Sequence, residues 1–177
     1  MKKAVLLIAI CCILLAACSS ESSEDGEKSR NGFLEYEAKA LNGDAVSFKE
    51  LLEKNELTII NIWATFCGPC IDEMPELEEI YKEHSGRIGV IGICADVSDS
   101  NGKVDEKLLE TAKKIADSDL ELTYISVVPS AEMQKEFLNE LTAYPKTYIV
   151  NAEGKVLETF YGKRSKEQFL ELAEKYL

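Results

Sequence analysis

The chain has 177 residues, and its 20 basic and 32 acidic side chains give a formal net charge of −12. This length provides one domain with a single hydrophobic core, so a second domain is not required. An acidic surface repels nucleic acid and anionic lipid, which excludes nucleic-acid binding and electrostatic docking on a membrane as functions.

The first 17 residues predict a cleaved export signal. Lys2 and Lys3 precede an apolar run that ends at Ala17 and is too short to remain as a membrane-spanning helix. The run closes with Leu-Ala-Ala-Cys, and small residues before a cysteine resemble a bacterial lipobox. That resemblance implies cleavage before Cys18 and attachment of lipid to this residue. The alternative is an ordinary signal peptide with an incidental cysteine.

Residues 18–32 predict a disordered tether between the lipid and the folded domain. From Ser19 to Gly32 there is no apolar side chain, so the segment cannot bury enough surface to offset the entropy of ordering. Because the acidic surface does not bind anionic lipid, we expect the anchor to be covalent. The folded domain is predicted to cover residues 33–177.

The folded domain is predicted to begin with a β-hairpin and a short helix. Residues 33–41 alternate weakly in hydrophobicity, and residues 45–46 resume the pattern after an Asn-Gly-Asp turn. Ser47 and Glu50 have the spacing of a capping box, which predicts that a helix begins at this point.

A buried strand then leads directly into a pair of cysteines. Residues 57–64 are mostly apolar and β-branched, which is typical of a strand covered on both faces. Pro69 is tolerated in the first turn of a helix, so Cys67 is predicted to lie at a helix start, where unpaired backbone N–H groups favour a thiolate. Cys67 is therefore the predicted nucleophile. Cys70 returns to the same side of the helix one turn later, within reach of a disulfide, and is the predicted resolving thiol.

The remaining elements alternate between strands and helices. Their predicted order is a strand over 87–95, a helix over 104–116, a strand over 122–128, a helix capped by Ser130, strands over 147–150 and 155–161, and a last helix capped by Ser165 and Gln168. A strand, a helix and a strand in succession imply a right-handed parallel crossover. The order of elements predicts an α/β fold with a mixed sheet.

Residues 63–70, Trp-Ala-Thr-Phe-Cys-Gly-Pro-Cys, resemble the active-site stretch of the thioredoxin superfamily. The Ile-Asp-Glu-Met-Pro that follows narrows the resemblance to membrane-anchored thiol-disulfide oxidoreductases of the TlpA-like or ResA-like group. The similarity covers residues 33–177 and implies a thioredoxin fold, with a mixed central sheet flanked by helices. Compared with a minimal thioredoxin, it implies a short N-terminal β extension and a helix-strand insertion between the two halves.

The resemblance also implies which residues border a substrate. Tyr144 and Pro145 stand where the superfamily has its cis-proline, which implies a cis peptide bond facing Cys67 and a backbone that pairs with a substrate peptide. A trans proline in an ordinary turn is the alternative. The predicted substrate-binding residues are Trp63, Phe66, Gly68, Pro69, Tyr144 and Pro145. Trp63 and Phe66 have a simpler interpretation as core aromatics.

Glu73 is the third predicted catalytic residue. It follows Cys70 by three positions and so projects along the same helix face. In ResA-like proteins the matching acid lies beside the cysteines and tunes the pKa of a thiol or moves protons, and the resemblance implies this role for Glu73. A solvated glutamate that interacts favourably with the helix dipole is the alternative. Asn61 stands where thioredoxin has a buried aspartate, so proton transfer through that position is not expected.

The resemblance implies that the protein reduces disulfides in exported proteins: Cys67 attacks the substrate disulfide, and Cys70 releases the reduced product. The alternatives are a thiol oxidase, which introduces disulfides, and a metal-binding chaperone. No metal site is expected, because His84 and Cys94 do not combine with the cysteine pair in a zinc or copper pattern. Cys94 is instead interpreted as a small core residue at the end of a strand.

No nicotinamide or flavin motif is present in the sequence, so the redox-active disulfide takes the place of a cofactor. Electrons are then expected from a membrane carrier resembling the CcdA or DsbD family. The substrates are expected to be exported thiol or disulfide proteins, with apocytochrome c among the classes left open. Together with the lipobox, these expectations predict a lipid-anchored protein on a bacterial cell membrane, facing outside the cytoplasm.

Overall fold

Two buried strands form the centre of the sheet in the computed structural model, which describes residues 32–177. β3 (Leu57–Trp63) and β4 (Ile88–Cys94) are parallel, with Leu57 opposite Ile88 and Trp63 opposite Cys94. Every residue of both strands is buried, which explains why their sequences are near-continuous apolar runs rather than alternating ones. Helix α2 (Gly68–Glu83) makes the crossover between them.

Five further strands complete a mixed sheet of seven. They are β1 (Glu37–Ala40), β2 (Ala45–Ser47), β5 (Ile125–Val128), β6 (Lys146–Asn151) and β7 (Val156–Tyr161). The strand order is β2-β1-β5-β4-β3-β6-β7. β5 runs parallel to β4, whereas β6 is antiparallel to β3 and both hairpins are antiparallel. The predicted α/β fold with a mixed sheet is confirmed.

Helices cover both faces of this sheet. Besides α2 they are α1 (Phe48–Leu52), α3 (Glu106–Lys113), α4 (Ala131–Met133) and α5 (Lys166–Ala173), and α3 and α4 continue into wider π-helical segments, Lys114–Asp119 and Gln134–Leu138. Successive strand residues point to opposite faces. Ile60 accordingly lies in one core cluster with Phe48 of α1. Ile59 lies in another cluster with Leu77 of α2 and Phe169 of α5.

Both additions implied by the resemblance are present. β1 and β2 form the N-terminal extension, and the helix-strand insertion consists of α3 and β5, which precede the β6–β7 hairpin. β5 lies between β4 and β1, so the inserted strand is the one through which the N-terminal hairpin joins the sheet.

The predicted helix starts differ in how they are capped. Ser47 is the N-cap residue of α1, but its side chain makes no capping hydrogen bond, so the predicted capping box is wrong. This short helix is instead held by the burial of two large apolar side chains. Ser130 Oγ accepts the Met133 N–H at 3.3 Å, and Ser165 forms a complete capping box with Gln168, as predicted.

The start of the described chain is fixed at one edge of the sheet. The Phe33 N–H donates to the Gly154 carbonyl at 3.0 Å, and Gly154 lies in the turn between β6 and β7. Asn151, at the end of β6, is opposite Leu57, the first residue of β3. The folded domain therefore begins at the edge where β3 begins.

Several sequence predictions concern residues 1–31. The predicted signal peptide, the lipidation site Cys18 and the tether up to residue 31 lie outside the described residues and stay predictions. Among residues 32–177, no helix has both the length and the apolar character needed to cross a membrane.

Candidate active site

The end of β3 and the start of α2 meet at the cysteine pair. After β3 the chain turns, and the Cys67 N–H donates to the Ala64 carbonyl at 2.9 Å. Cys67 is the N-cap residue of α2, and Pro69 lies in the first helical turn, as predicted. Pro69 costs no helical hydrogen bond there, because the first N–H groups of a helix have no partner within it.

Cys67 and Cys70 form a disulfide, with their Cα atoms 5.3 Å apart. Their surroundings differ, because 7% of Cys67 is exposed to solvent whereas Cys70 is fully buried. The expectation that the nucleophile Cys67 is exposed is therefore wrong for the disulfide form, in which Cys67 is buried and only slightly more accessible than Cys70. The Cys70 backbone N–H donates to Cys67 Sγ at 3.2 Å. This donor and the positive end of the helix both stabilise negative charge, so the geometry favours Cys67 as the thiolate once the disulfide is reduced.

An aromatic pair of one exposed and one half-buried ring borders the disulfide. Phe66, directly before Cys67, is 73% exposed, and its ring meets the Tyr144 ring edge to face with the centroids 5.9 Å apart. Tyr144 packs against the cluster that contains both cysteines. The Tyr144-Pro145 peptide bond is cis, as predicted. The structure thus brings this dipeptide and Phe66 to the edge of the sheet that carries Cys67.

The other predicted substrate-binding residues lie in contrasting environments. Gly68 and Pro69 are exposed at the start of α2. Pro145 is buried, and its carbonyl accepts the Gly162 N–H at 2.9 Å. Trp63 is fully buried in the same cluster as the cysteines, so the prediction that it contacts a substrate is wrong. Trp63 lies at the end of a strand that is covered on both faces, so its side chain supports the cysteine pair from the interior of the domain.

Glu73 is fully buried, so the alternative of a solvated glutamate is wrong. Asn61 Nδ2 donates to Glu73 Oε1 at 2.8 Å, and the Arg164 N–H donates to Oε2 at 3.0 Å. The same Asn61 nitrogen donates to Thr147 Oγ1 at 3.2 Å. Burial raises the Glu73 pKa from 4.5 to about 7, although both donors and the positive charges of Lys163 and Arg164 act to lower it. A group with this pKa can hold or release a proton at neutral pH.

The sequence singles out Asn61 and Glu73 separately but does not predict their contact. The sequence does contain an indication of this contact, since residues 61 and 63 share one face of β3 and residue 63 is expected near the cysteines. Thr147 and Arg164 were also missed. Arg164 lies 91 residues after Glu73, and no local pattern indicates such a contact.

Cys94 and Asp96 lie at the end of β4, next to the turn that carries Cys67. Cys94 is fully buried, and its Sγ donates to Asp96 Oδ1 at 3.4 Å. Burial and the negative charge of Asp96 raise the pKa of the Cys94 thiol far above its ordinary value, so this cysteine stays protonated. Asp96 also accepts hydrogen bonds from Thr65, a contact that the sequence analysis missed. Within residues 32–177, no three His, Cys, Asp or Glu side chains are grouped so as to hold a metal ion.

Comparison with known proteins identifies the family. The Redoxin family matches residues 26–176, which is most of the chain. The chain belongs to the Redoxin family. The thioredoxin-like protein YneN of Bacillus subtilis (strain 168) is 27% identical to it over 78% of this chain and 76% of its own. The thiol-disulfide oxidoreductase ResA of Bacillus thuringiensis subsp. konkukian (strain 97-27) is 24% identical over 76% of this chain and 70% of its own.

A solved structure shows the same fold as this Redoxin-family chain. The pneumococcal exposed lipoprotein thioredoxin Etrx1 from Streptococcus pneumoniae strain TIGR4 matches with a TM-score of 0.62 and 21% identity, over 79% of this chain and 98% of that one. The resemblance to ResA-like proteins and the thioredoxin fold, both predicted from the sequence, are confirmed.

The buried Glu73 gives this Redoxin-family protein a pH-dependent stability. Because the Glu73 pKa rises from 4.5 to about 7 on folding, the folded state binds this proton more tightly than the unfolded state. Burying the charged carboxylate lowers the free energy of unfolding. This loss is absent below pH 4.5, grows as the pH rises, and approaches about 3 kcal/mol at about pH 7. We expect Glu73→Gln to remove most of this loss, so that its unfolding free energy falls less between about pH 5 and pH 8 than that of the wild type.

Urea unfolding of the oxidised protein at several pH values measures this effect. Asp72→Asn is the matched control, because Asp72 is the neighbouring residue and its side chain is 65% exposed. Equal pH slopes for Glu73→Gln and the wild type would contradict a raised pKa for this carboxyl.

Proposed function

We propose that this protein is an extracytoplasmic thiol-disulfide oxidoreductase that reduces disulfide bonds in exported proteins. The observation that carries the proposal is the disulfide between Cys67 and Cys70 at the start of α2, where the Cys70 N–H donates to Cys67 Sγ at 3.2 Å. Membership of the Redoxin family and a relative named thiol-disulfide oxidoreductase support it.

In the proposed reaction the reduced enzyme begins with Cys67 as a thiolate. This thiolate attacks one sulfur of the substrate disulfide, and the other substrate sulfur leaves and takes up a proton. The buried Cys70 then attacks Cys67 Sγ in the mixed disulfide, which forms the Cys67–Cys70 bond and releases the second substrate thiol. The substrate gains two electrons from the two cysteines; the Cys70 thiol supplies one of the two protons that the product thiols take up, and the solvent supplies the other.

Glu73 is proposed to receive the Cys70 proton. Cys70 is shielded from water, so its thiol needs an internal acceptor before it can attack. Glu73 follows one helical turn later, is equally buried, and has a pKa of about 7, so it can accept a proton at neutral pH. The hydrogen bonds from Asn61 and from the Arg164 N–H hold the carboxyl group in place.

Phe66, Gly68, Pro69, Tyr144 and Pro145 are proposed to form the substrate surface. Phe66 offers a large exposed ring directly beside the nucleophile, and Tyr144 contacts that ring edge to face. Gly68 and Pro69 leave the approach to Cys67 free of long side chains. An extended substrate segment is proposed to pair with the backbone at Tyr144 as an added strand, which gives affinity through main-chain hydrogen bonds.

The protein is further proposed to be attached to a membrane by lipid on Cys18, with the first 17 residues as the signal and residues 18–32 as the tether. The description of Etrx1 as an exposed lipoprotein supports this attachment. The Cys67–Cys70 disulfide is the only redox group that we assign, and we assign neither a metal nor an organic cofactor. The electrons are therefore proposed to come by dithiol exchange from a membrane carrier resembling CcdA or DsbD.

A thiol oxidase is the second candidate. The N–H donated to Cys67 Sγ favours the thiolate, and a stabilised thiolate makes a disulfide a stronger oxidant. The buried Glu73 acts in the opposite direction, because its negative charge disfavours a nearby thiolate. Gly68 and Pro69 add no charge or donor side chain between the cysteines. We expect the effect of Glu73 to prevail and to favour reduction.

The reduction potential separates the two candidates. We expect a value nearer that of thioredoxin, about −270 mV, than that of the oxidant DsbA, about −120 mV. Equilibration of the full chain with glutathione buffers, followed by alkylation of free thiols, measures it. Glu73→Gln is expected to give a less negative potential, since it removes the opposing charge. A wild-type value above about −180 mV would favour the oxidase.

Substitution of the resolving thiol is expected to trap substrates. In Cys70→Ser, Cys67 can attack but the mixed disulfide cannot be released, so covalent adducts should accumulate in cells. Cys67→Ser is the matched control and should trap none, because Cys70 is fully buried. Non-reducing electrophoresis and mass spectrometry identify the adducts. Adducts on Cys67→Ser alone would reverse the assignment of the nucleophile.

Lipid attachment is tested by metabolic labelling. Labelled fatty acid should enter the wild type and not Cys18→Ala. Cys12→Ala is the control and should label normally, because Cys12 lies within the predicted signal. Equal labelling of Cys18→Ala and the wild type would refute the proposed anchor.

A further inference from the structure

Asp96 lies two residues after the end of β4, and its carboxylate contacts the turn that follows β3. Oδ1 and Oδ2 each accept the Thr65 backbone N–H at 3.1 Å, and Oδ2 accepts the Thr65 hydroxyl at 2.5 Å. Hydrogen bonds to a charged acceptor are stronger than those between neutral groups. Asp96 therefore binds both the main chain and the side chain of Thr65, across the ends of two parallel strands.

Thr65 belongs to the turn of residues 64–67, which presents Phe66 and Cys67. Within this turn the Cys67 N–H donates to the Ala64 carbonyl at 2.9 Å. Phe66 is 73% exposed, so packing contributes little to holding its position. In the oxidised protein the disulfide also ties Cys67 to α2. When the disulfide opens, that covalent tie is lost, and the contact with Asp96 carries a larger share of the restraint on the turn.

Asp96 is itself held in place on the β4 side. Cys94 Sγ donates to Asp96 Oδ1 at 3.4 Å, and the Ala95 N–H donates to the Trp63 carbonyl at 2.8 Å. The β3–β4 ladder thus continues to the residue before Asp96. Burial, followed by the charge of Asp96, raises the pKa of Tyr144, whose ring contacts Phe66. The carboxylate therefore binds the residue before Phe66 and also acts electrostatically on Tyr144.

We propose that Asp96 is a positioning residue for disulfide exchange: its carboxylate holds residues 64–67 so that Cys67 and Phe66 keep their placement beside Tyr144 in the reduced protein. This inference rests on the proposed function, because it assigns Asp96 to the exchange reaction at Cys67. Asp96 forms no bond to the substrate and acts through Thr65. Its loss should impair the capture of a peptide, which needs an arranged surface, more than the sulfur chemistry itself.

Three variants distinguish the positioning effect of the hydrogen-bond acceptor at residue 96 from the effect of its negative charge. Asp96→Asn keeps an oxygen that can accept the Thr65 N–H but removes the charge, and Asp96→Ala removes both. Thr65→Val removes the hydroxyl and keeps the backbone N–H. Each is made in the full chain, and urea unfolding establishes that it is folded.

Two readouts are compared for these variants. The first is kcat and KM for reduction of a fluorescent disulfide-linked peptide, with dithiothreitol as the electron source. The second is amide hydrogen exchange of residues 64–67 in the reduced protein, which reports the restraint on the turn without depending on activity.

Asp96→Ala is expected to lower kcat/KM about tenfold, mainly through a higher KM, and to speed amide exchange in residues 64–67 about tenfold. Asp96→Asn and Thr65→Val are expected to stay within about threefold of the wild type, because each keeps an acceptor for the Thr65 N–H. If Asp96→Ala does not fold, Asp96→Glu takes its place with the same expectation, since it keeps the charge but moves the carboxylate.

Equal losses in Asp96→Asn and Asp96→Ala would overturn the proposal, because charge rather than position would then be responsible. Unchanged amide exchange in Asp96→Ala would overturn it as well. A wild type that does not reduce the peptide would overturn the proposed function. An active wild type with unaffected variants would overturn only the role of Asp96.

Discussion

Parallel pairing of β3 with β4 ends with Trp63 opposite Cys94, and this register brings the groups of the site together. Parallel strands end at the same edge of a sheet, so the turn to Cys67 and the loop that contains Asp96 leave the sheet side by side. The crossover helix must also begin at that edge, which places its positive end at Cys67. β6, antiparallel to β3, begins at the same edge and brings Tyr144 and Pro145 with it.

Two electrostatic influences of opposite sign act on the cysteine pair. In the proposed reaction the Cys70 N–H and the helix start favour a charged Cys67, whereas a charged Glu73 disfavours it. The first influence comes from the backbone and is constant. The second depends on pH, because the Glu73 carboxyl has a pKa of about 7 and carries a full charge only above neutrality. In that reaction the balance between the reduced and oxidised forms is coupled to the proton on Glu73.

Local patterns in the sequence predicted the central strands, the start of α2 and the last capping box, and the resemblance supplied the cis peptide bond and the inserted helix and strand. The contacts that the sequence did not reveal join residues far apart in the chain. Asn61 meets Glu73 only because α2 packs on β3, and Thr65 meets Asp96, 31 residues later, only because of the strand register. Ser47 shows the opposite case. It has the spacing of a capping box, but it makes no capping hydrogen bond, and the helix is held by the burial of its apolar side chains.

The hydrogen bond between Phe33 and Gly154 fixes the point at which any preceding segment leaves the domain. That point is at the edge where β3 begins, and a strand of seven residues separates it by about 20 Å from the edge that carries Cys67. An attachment made through this exit lies at the end of the sheet opposite the disulfide. A partner on the attachment side therefore reaches the disulfide only when the domain turns over.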